Sequence, residues 1–146
     1  MNIVLVVALA ACAPDAPVER ETEGRPVWDG AWAVAAGRLE SVDGGLVLHG
    51  PGPGVALAVA LVGAPAVSAD GRHVALAHRD GGPGDSIIET VRLDAQGVTG
   101  RWVLDGEGSP DRVAIEPSGE RVAWVDSAGG VASVFVADFP DGAPLQ

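Results

Sequence analysis

The sequence predicts an all-β protein made of repeated antiparallel sheets stacked face on face, and three observations carry that expectation. From about residue 28 onward no stretch holds apolar residues at i, i+3, i+4 and i+7 over successive turns, whereas short alternating or continuous apolar runs recur. The 21 Gly and 11 Pro among 146 residues fall between those runs, where they mark turns joining short strands. Finally, a segment near the middle of the chain returns at an offset of 48 residues.

The repeat is visible when Ala66 to Ala77 is set over Ala114 to Val125. Ala, Gly, Val and Ala recur in register, the other apolar positions stay apolar, and Gly81-Gly82 meets Gly129-Gly130 at the same offset. In each copy a tight turn, Asp70-Gly71 or Ser118-Gly119, joins two strands, with Gly free to take positive φ and the Asp or Ser oxygen able to accept from nearby amides. After the first turn, Val74 and Leu76 share one strand face while Ala75 and Ala77 share the other. After the second, Val122 and Trp124 oppose Ala123 and Val125. Both faces of each strand are apolar, one bulky and one small, so each sheet needs cover on both sides and a large face can nest on a neighbour's small one. A third strand follows in each copy, Ile87 to Leu93 and Val131 to Ala137, and Gly100 to Leu104 makes a fourth.

Before the repeat, Leu39 to Val42 and Leu46 to His49 flank Asp43-Gly44-Gly45 as a hairpin. The loop Gly50-Pro51-Gly52-Pro53-Gly54 then leads to an apolar strand over Val55 to Val62, with Ala31 to Ala35 as the innermost strand of the unit. Residues 28–63 therefore form a degenerate first unit, 64–108 a second and 109–146 a partial third.

The turn Ser68-Ala69-Asp70-Gly71-Arg72 resembles the Ser-Pro-Asp-Gly-Lys/Arg turn of TolB-like, WD-repeat-related β-propeller blades at four of five positions; Pro117-Ser118-Gly119-Glu120 keeps only the Pro and Gly. The resemblance covers about residues 64–146 and implies an incomplete β-propeller of about two or three four-stranded antiparallel blades. A propeller closes with typically 4–8 blades of about 40–45 residues. Three accounts of the shortfall are open: a piece of a longer propeller, a ring assembled from several chains, or blades closing as a small sandwich.

The N-terminal residues carry a different signal. Ile3 to Ala11 is an unbroken apolar run of nine residues, shorter than the roughly 20 needed to span a bilayer as a helix and matching the apolar stretch of a secretory signal. Leu9-Ala10-Ala11-Cys12 resembles the lipobox of bacterial lipoproteins. That resemblance implies a signal peptide over 1–11, cleavage between Ala11 and Cys12, and lipidation of Cys12. The segment before Ile3 departs from the pattern by offering only the amino terminus as positive charge. The competing reading makes residues 3–11 a buried strand and Cys12 a core thiol. Ala13, where enteric lipoproteins retained in the inner membrane carry Asp, implies an anchor in the outer membrane facing the periplasm. Residues 12–27 hold three Pro and four acids and are expected to be a flexible tether between lipid and domain.

Composition excludes several functions. With nine Arg, no Lys and 20 acids the net charge is −11, so no basic surface for nucleic acid can be assembled. One Cys excludes an internal disulfide framework.

Catalytic and metal patterns are weak. Gly84-Asp85-Ser86-Ile87 is similar to the Gly-Asp-Ser-Leu block of a lipase and esterase family, but the chain has no Asn after Asn2 and no His after His78 for the partners that family requires. His73 and His78 differ by an odd number on one strand and so point to opposite faces; His49 lies elsewhere. The acids of Asp80 to Asp85, and of Asp105, Glu107 and Asp111, lack the spacing of a calcium loop. The prolines of Gly50 to Gly54 remove amides that a phosphate cradle would need. Trp124 occupies a core position, while Trp28 and Trp32 are candidates for a contact surface.

No catalytic residue, metal site or cofactor is therefore expected. The reading is a lipid-anchored envelope scaffold that binds another protein, a basic one by charge, and can self-associate through exposed blade faces. The alternatives are a fragment of a prolyl-oligopeptidase-like hydrolase bearing a propeller, and an envelope cation- or ligand-binding module.

Overall fold

The structure, a computed structural model, describes residues 18–22, 25–79, 86–105, 110–128 and 130–138. The signal-peptide and lipidation residues, including Ala11 and Cys12, lie outside them.

Thirteen strands in the described residues form three antiparallel sheets. The first holds β1 (Val18–Thr22), β2 (Arg25–Val34), β3 (Gly37–Val42), β4 (Gly45–His49) and β5 (Val55–Ala58) in sequential order. The second runs β10 (Gly97–Asp105), β9 (Ile87–Asp94) and β8 (His73–Arg79), with β6 (Ala60–Leu61) and β7 (Ala66–Val67) both pairing with β8. The third is β11 (Pro110–Ile115), β12 (Arg121–Ala128) and β13 (Val131–Asp138). The middle sheet thus has the four-stranded form expected of a blade, its innermost position shared by two short pieces. The first sheet carries an additional edge strand, β1, beside β2.

The offset of 48 is also an offset in pairing. Ala66 opposes Ala75 and Val67 opposes Val74 in the second sheet; Ala114 opposes Ala123 and Ile115 opposes Val122 in the third. The turns match too. Gly71 N–H donates to Ser68 O and Ser68 N–H to His73 O, and the same bonds recur from Gly119 to Glu116 and from Glu116 to Arg121. Gly71 and Gly119 both have positive φ, +68° and +78°, the left-handed conformation that only Gly adopts cheaply.

Two differences from the sequence reading have local causes. Val55 to Val62 is not one strand: after β5 the chain leaves the first sheet at exposed Val59, and Leu61 N–H then donates to Gly44 O while Val62 N–H donates to Ala77 O. The boundary between units therefore falls between Ala58 and Ala60, ahead of residue 63. Part of the expected tether is also in strand, because Val18–Thr22 pairs with Arg25–Asp29; backbone ladder bonds do not depend on the polar side chains that suggested a solvated linker.

Two cores separate the sheets. Between the first and second lie Leu39, Leu46, Leu48 and Leu57 against Val74, Leu76, Val91 and Leu93. Between the second and third, Ala75, Ala77 and Ile88 receive Ile115, Val122, Trp124 and Ala137. This second core is the expected nesting of a large face on a small one. Trp124 is 1% exposed and stacks on Phe135 with ring centroids 5.6 Å apart. Trp32, a candidate contact residue, instead packs half-buried against the first core. The side chain of Trp28 is outside the described set.

Candidate functional site

The turns between the first two strands of each unit meet along one rim. Ala35 N–H donates to Gly71 O, and Ala69 N–H donates to Pro117 O, both at 2.9 Å, so backbone bonds link all three sheets. Within the second turn Ser68 Oγ donates to Asp70 Oδ1 at 2.7 Å, and the same oxygen accepts Arg72 N–H at 3.0 Å. The Ser68 bond, then the Arg72 amide, hold the Asp70 carboxyl below its usual pKa. In the third turn Ser118 Oγ accepts Glu120 N–H at 3.2 Å. Asp70, Gly71, Ser118 and Gly119 are therefore turn formers whose polar atoms are used on their own backbone or next to it. Gly119 lies directly beneath the His73 ring, and burial is the main cause of the lowered His73 pKa.

A buried ionic cluster that the sequence reading missed bridges the first two sheets. Glu89, 6% exposed, receives Arg101 Nε on Oε1 at 2.5 Å and Arg101 Nη2 on Oε2 at 2.8 Å. Arg101 Nη2 also donates to Leu57 O of β5 at 2.7 Å, crossing the interface. His78 Nε2 lies 2.8 Å from Glu89 Oε2; a carboxylate only accepts, so Nε2 carries the proton. Burial alone raises the Glu89 pKa, but the bonds from Arg101 and His78 overcome it and lower it to about 2. One signal was legible: Glu89 interrupts the apolar run of β9 at a position facing Leu76. The partner Arg101 is two strands from His78 and only the sheet order reveals the contact.

The three sheets have a known counterpart. The chain superposes on TolB from Acinetobacter baumannii with a TM-score of 0.51 at 16% sequence identity, over 89% of this chain and 37% of that one. Those sheets are β-propeller blades. The chain spans little more than a third of the length of that protein, and its three blades form an incomplete propeller. No family model and no curated protein matches the sequence.

The other singled-out residues are scattered over this blade stack. His49 lies on the outer face of the first blade, with Nε2 3.2 Å from Glu40 Oε2. His73 and His78 face opposite blades, as their odd spacing requires. Among the described residues no group of three or more His, Cys, Asp or Glu could hold a metal ion. Ser86 is 5% exposed at the entry to β9; Gly84 and Asp85, like Asp80, Glu107 and the loops around them, lie outside the described residues.

Proposed function

We propose that this chain is a lipid-anchored bacterial cell-envelope protein whose propeller blades act as a non-catalytic scaffold for binding another protein. The observation that carries the scaffold reading is the fate of the buried charges. Glu89, His78 and Arg101, an ionic cluster inside the described stack, are spent on joining two blades. The third sheet meanwhile exposes Val131 and Val134 to solvent. The net charge of −11 favours a basic partner through long-range attraction. Anchoring rests on Leu9-Ala10-Ala11-Cys12, with two or three acyl chains at about 0.8 kcal/mol per buried CH₂ giving a durable hold.

The anchor is tested by mass spectrometry of the protein from bacterial membrane fractions. An N-terminal Cys12 peptide carrying diacylglycerol is expected, and Cys12→Ser should leave the precursor unprocessed; a mature chain still beginning with unmodified Met1 overturns the proposal. The scaffold reading is tested by crosslinking in intact cells followed by competition at raised salt. A basic envelope protein released between about 0.1 and 0.5 M salt is expected from screening over the Debye length, and recovery of no envelope protein overturns it.

A further inference from the structure

We infer that the blades also touch the bilayer that holds their anchor, and that the end of the first blade carrying the loop at residues 50–54 is the surface that meets it. This orientation rests on the lipidation of Cys12. The sequence leaves residues 12–27 as a tether, but Val18–Thr22 is paired into the first sheet, so only residues 13–17 separate Cys12 from β1. From Cys12 to Val18 is six Cα–Cα steps, which reach at most about 20–22 Å. The first blade is therefore held against the membrane surface.

The direction of β1 selects the end. β1 is antiparallel to β2, with Thr22 opposite Arg25 and Val18 opposite Asp29. Traced back from Val18, the chain heads towards Val34 and the rim at which Ala35 N–H donates to Gly71 O. β2 covers about 17 Å from Asp29 to Val34, so an extended run brings Cys12 level with that rim or a few ångström beyond it. Doubling back would need a reversal within residues 13–17, where Pro14 and Pro17 each disfavour a helical turn at the residue before them.

The chemistry of the rim agrees with that direction. A Cβ on Gly37, the first residue of β3, would meet His49 O and Gly50 Cα, which sets the β4–β5 loop beside the β2–β3 turn. Residues 50–56 are all exposed and none is charged; they include Pro51, Pro53 and Val55, the last 46% exposed. In a chain of net charge −11, such a stretch can enter the headgroup layer without desolvating a carboxylate. It also escapes the repulsion that anionic headgroups exert on acids. At the opposite end of the same blade, the β3–β4 turn exposes Asp43.

The test uses the lipidated full chain, purified from bacterial membranes and placed in phosphatidylcholine vesicles containing a lipid with a nitroxide headgroup. The sequence has one Cys, and as a thioether it offers no thiol, so a thiol-reactive fluorophore should label only an introduced cysteine. Gly52→Cys, at a position where a Cβ meets nothing within 4 Å, marks the loop. Val42→Cys, at a residue 55% exposed next to the β3–β4 turn, marks the opposite end. Circular dichroism confirms that both variants fold. Quenching by the nitroxide should be several-fold stronger at residue 52 than at residue 42. Equal quenching, or stronger quenching at residue 42, overturns the orientation and leaves the anchor standing. Labelling of the wild type at Cys12 overturns the anchor, and the orientation with it.

Discussion

The two inter-blade layers solve the same packing problem differently. Between the first and second blades, Leu39, Leu46 and Leu48 face Val74, Leu76 and Leu93, bulky side chains on both sides. A bulky pair of faces can slide, and the Glu89–Arg101 cluster with its bond to Leu57 O fixes the position. Between the second and third blades, Trp124 sits on Ala75 and Ala77, and Gly119 lies under His73. There shape sets the register, with an apolar cluster packed across the layer and the His73 ring over Gly119. The lesson is that a repeat whose faces are matched large to small needs no buried charge, whereas one matched large to large acquires directional bonds.

The largest expected effect separates the two layers. Trp124→Ala removes the wedge from the Ala75–Ala77 face and should cost about 3–5 kcal/mol. Each blade contacts mainly its neighbours, so the loss should stay local: hydrogen exchange should rise in β11 to β13 while β3 and β4 keep their protection. Uniform loss across all three sheets would show that the layers are not separable.

Glu89→Ala should weaken the other layer. It takes the carboxylate away from His78 and Arg101, leaving Arg101 its bond to Leu57 O. Removing one partner of a buried pair costs about 3–5 kcal/mol, and because the Arg101 side chain is 38% exposed the expected loss is nearer about 2 kcal/mol. The wild type should show the same contribution as a pH dependence. A carboxyl held at about 2 in the fold, against an ordinary 4.5, stabilises fully above pH 4.5 and loses that stabilisation as pH falls from 4.5 towards 2. Urea melts across that window should fall more steeply for the wild type than for Glu89→Gln, and parallel profiles would remove Glu89 from the account of this layer.

Gly119→Ala tests shape in the second layer. Gly119 and Gly130 share a φ near +80°, but a Cβ at Gly119 runs into the His73 ring whereas one at Gly130 meets nothing within 4 Å. Gly130→Ala should cost about 1 kcal/mol, the left-handed penalty alone, and Gly119→Ala about 1–3 kcal/mol more from overpacking. Adding His73→Ala should recover most of the excess; equal costs at the two glycines would mean that the His73 contact carries no weight.

The two layers were not equally legible in the sequence. The second was readable because its signal is local: Val74 and Leu76 against Ala75 and Ala77, then Val122 and Trp124 forty-eight residues on, give face, size and register in a few consecutive residues. The hairpin at Asp43-Gly44 was readable for the same reason, and both residues take positive φ. The first layer was not, because Glu89, Arg101 and Leu57 come from three strands and two sheets. The break at Val59 was hidden as well, since an apolar run looks alike whether it continues one sheet or crosses to the next.

The smallest expected effect concerns the one position at which the Ser68 to Arg72 turn departs from the blade motif it resembles. The motif has Pro where this chain has Ala69, and the structure supplies a reason: Ala69 N–H donates to Pro117 O, tying the second blade to the third. At the corresponding place in the third blade stands Pro117 itself, which has no N–H, so the series of turn-to-turn bonds stops there. Ala69→Pro perfects the motif and removes the bond. Proline gains about 0.4–1 kcal/mol by restricting the unfolded chain where its φ fits, while the lost hydrogen bond forfeits about 0.5–1.5 kcal/mol. The net expectation is a destabilisation of about 0.5 kcal/mol, with faster hydrogen exchange in β11 and β12. A stabilised variant with unchanged exchange would mean that the turn-to-turn bond contributes less than the chain entropy it displaces, leaving Trp124 and Gly119 to hold the third blade by shape alone.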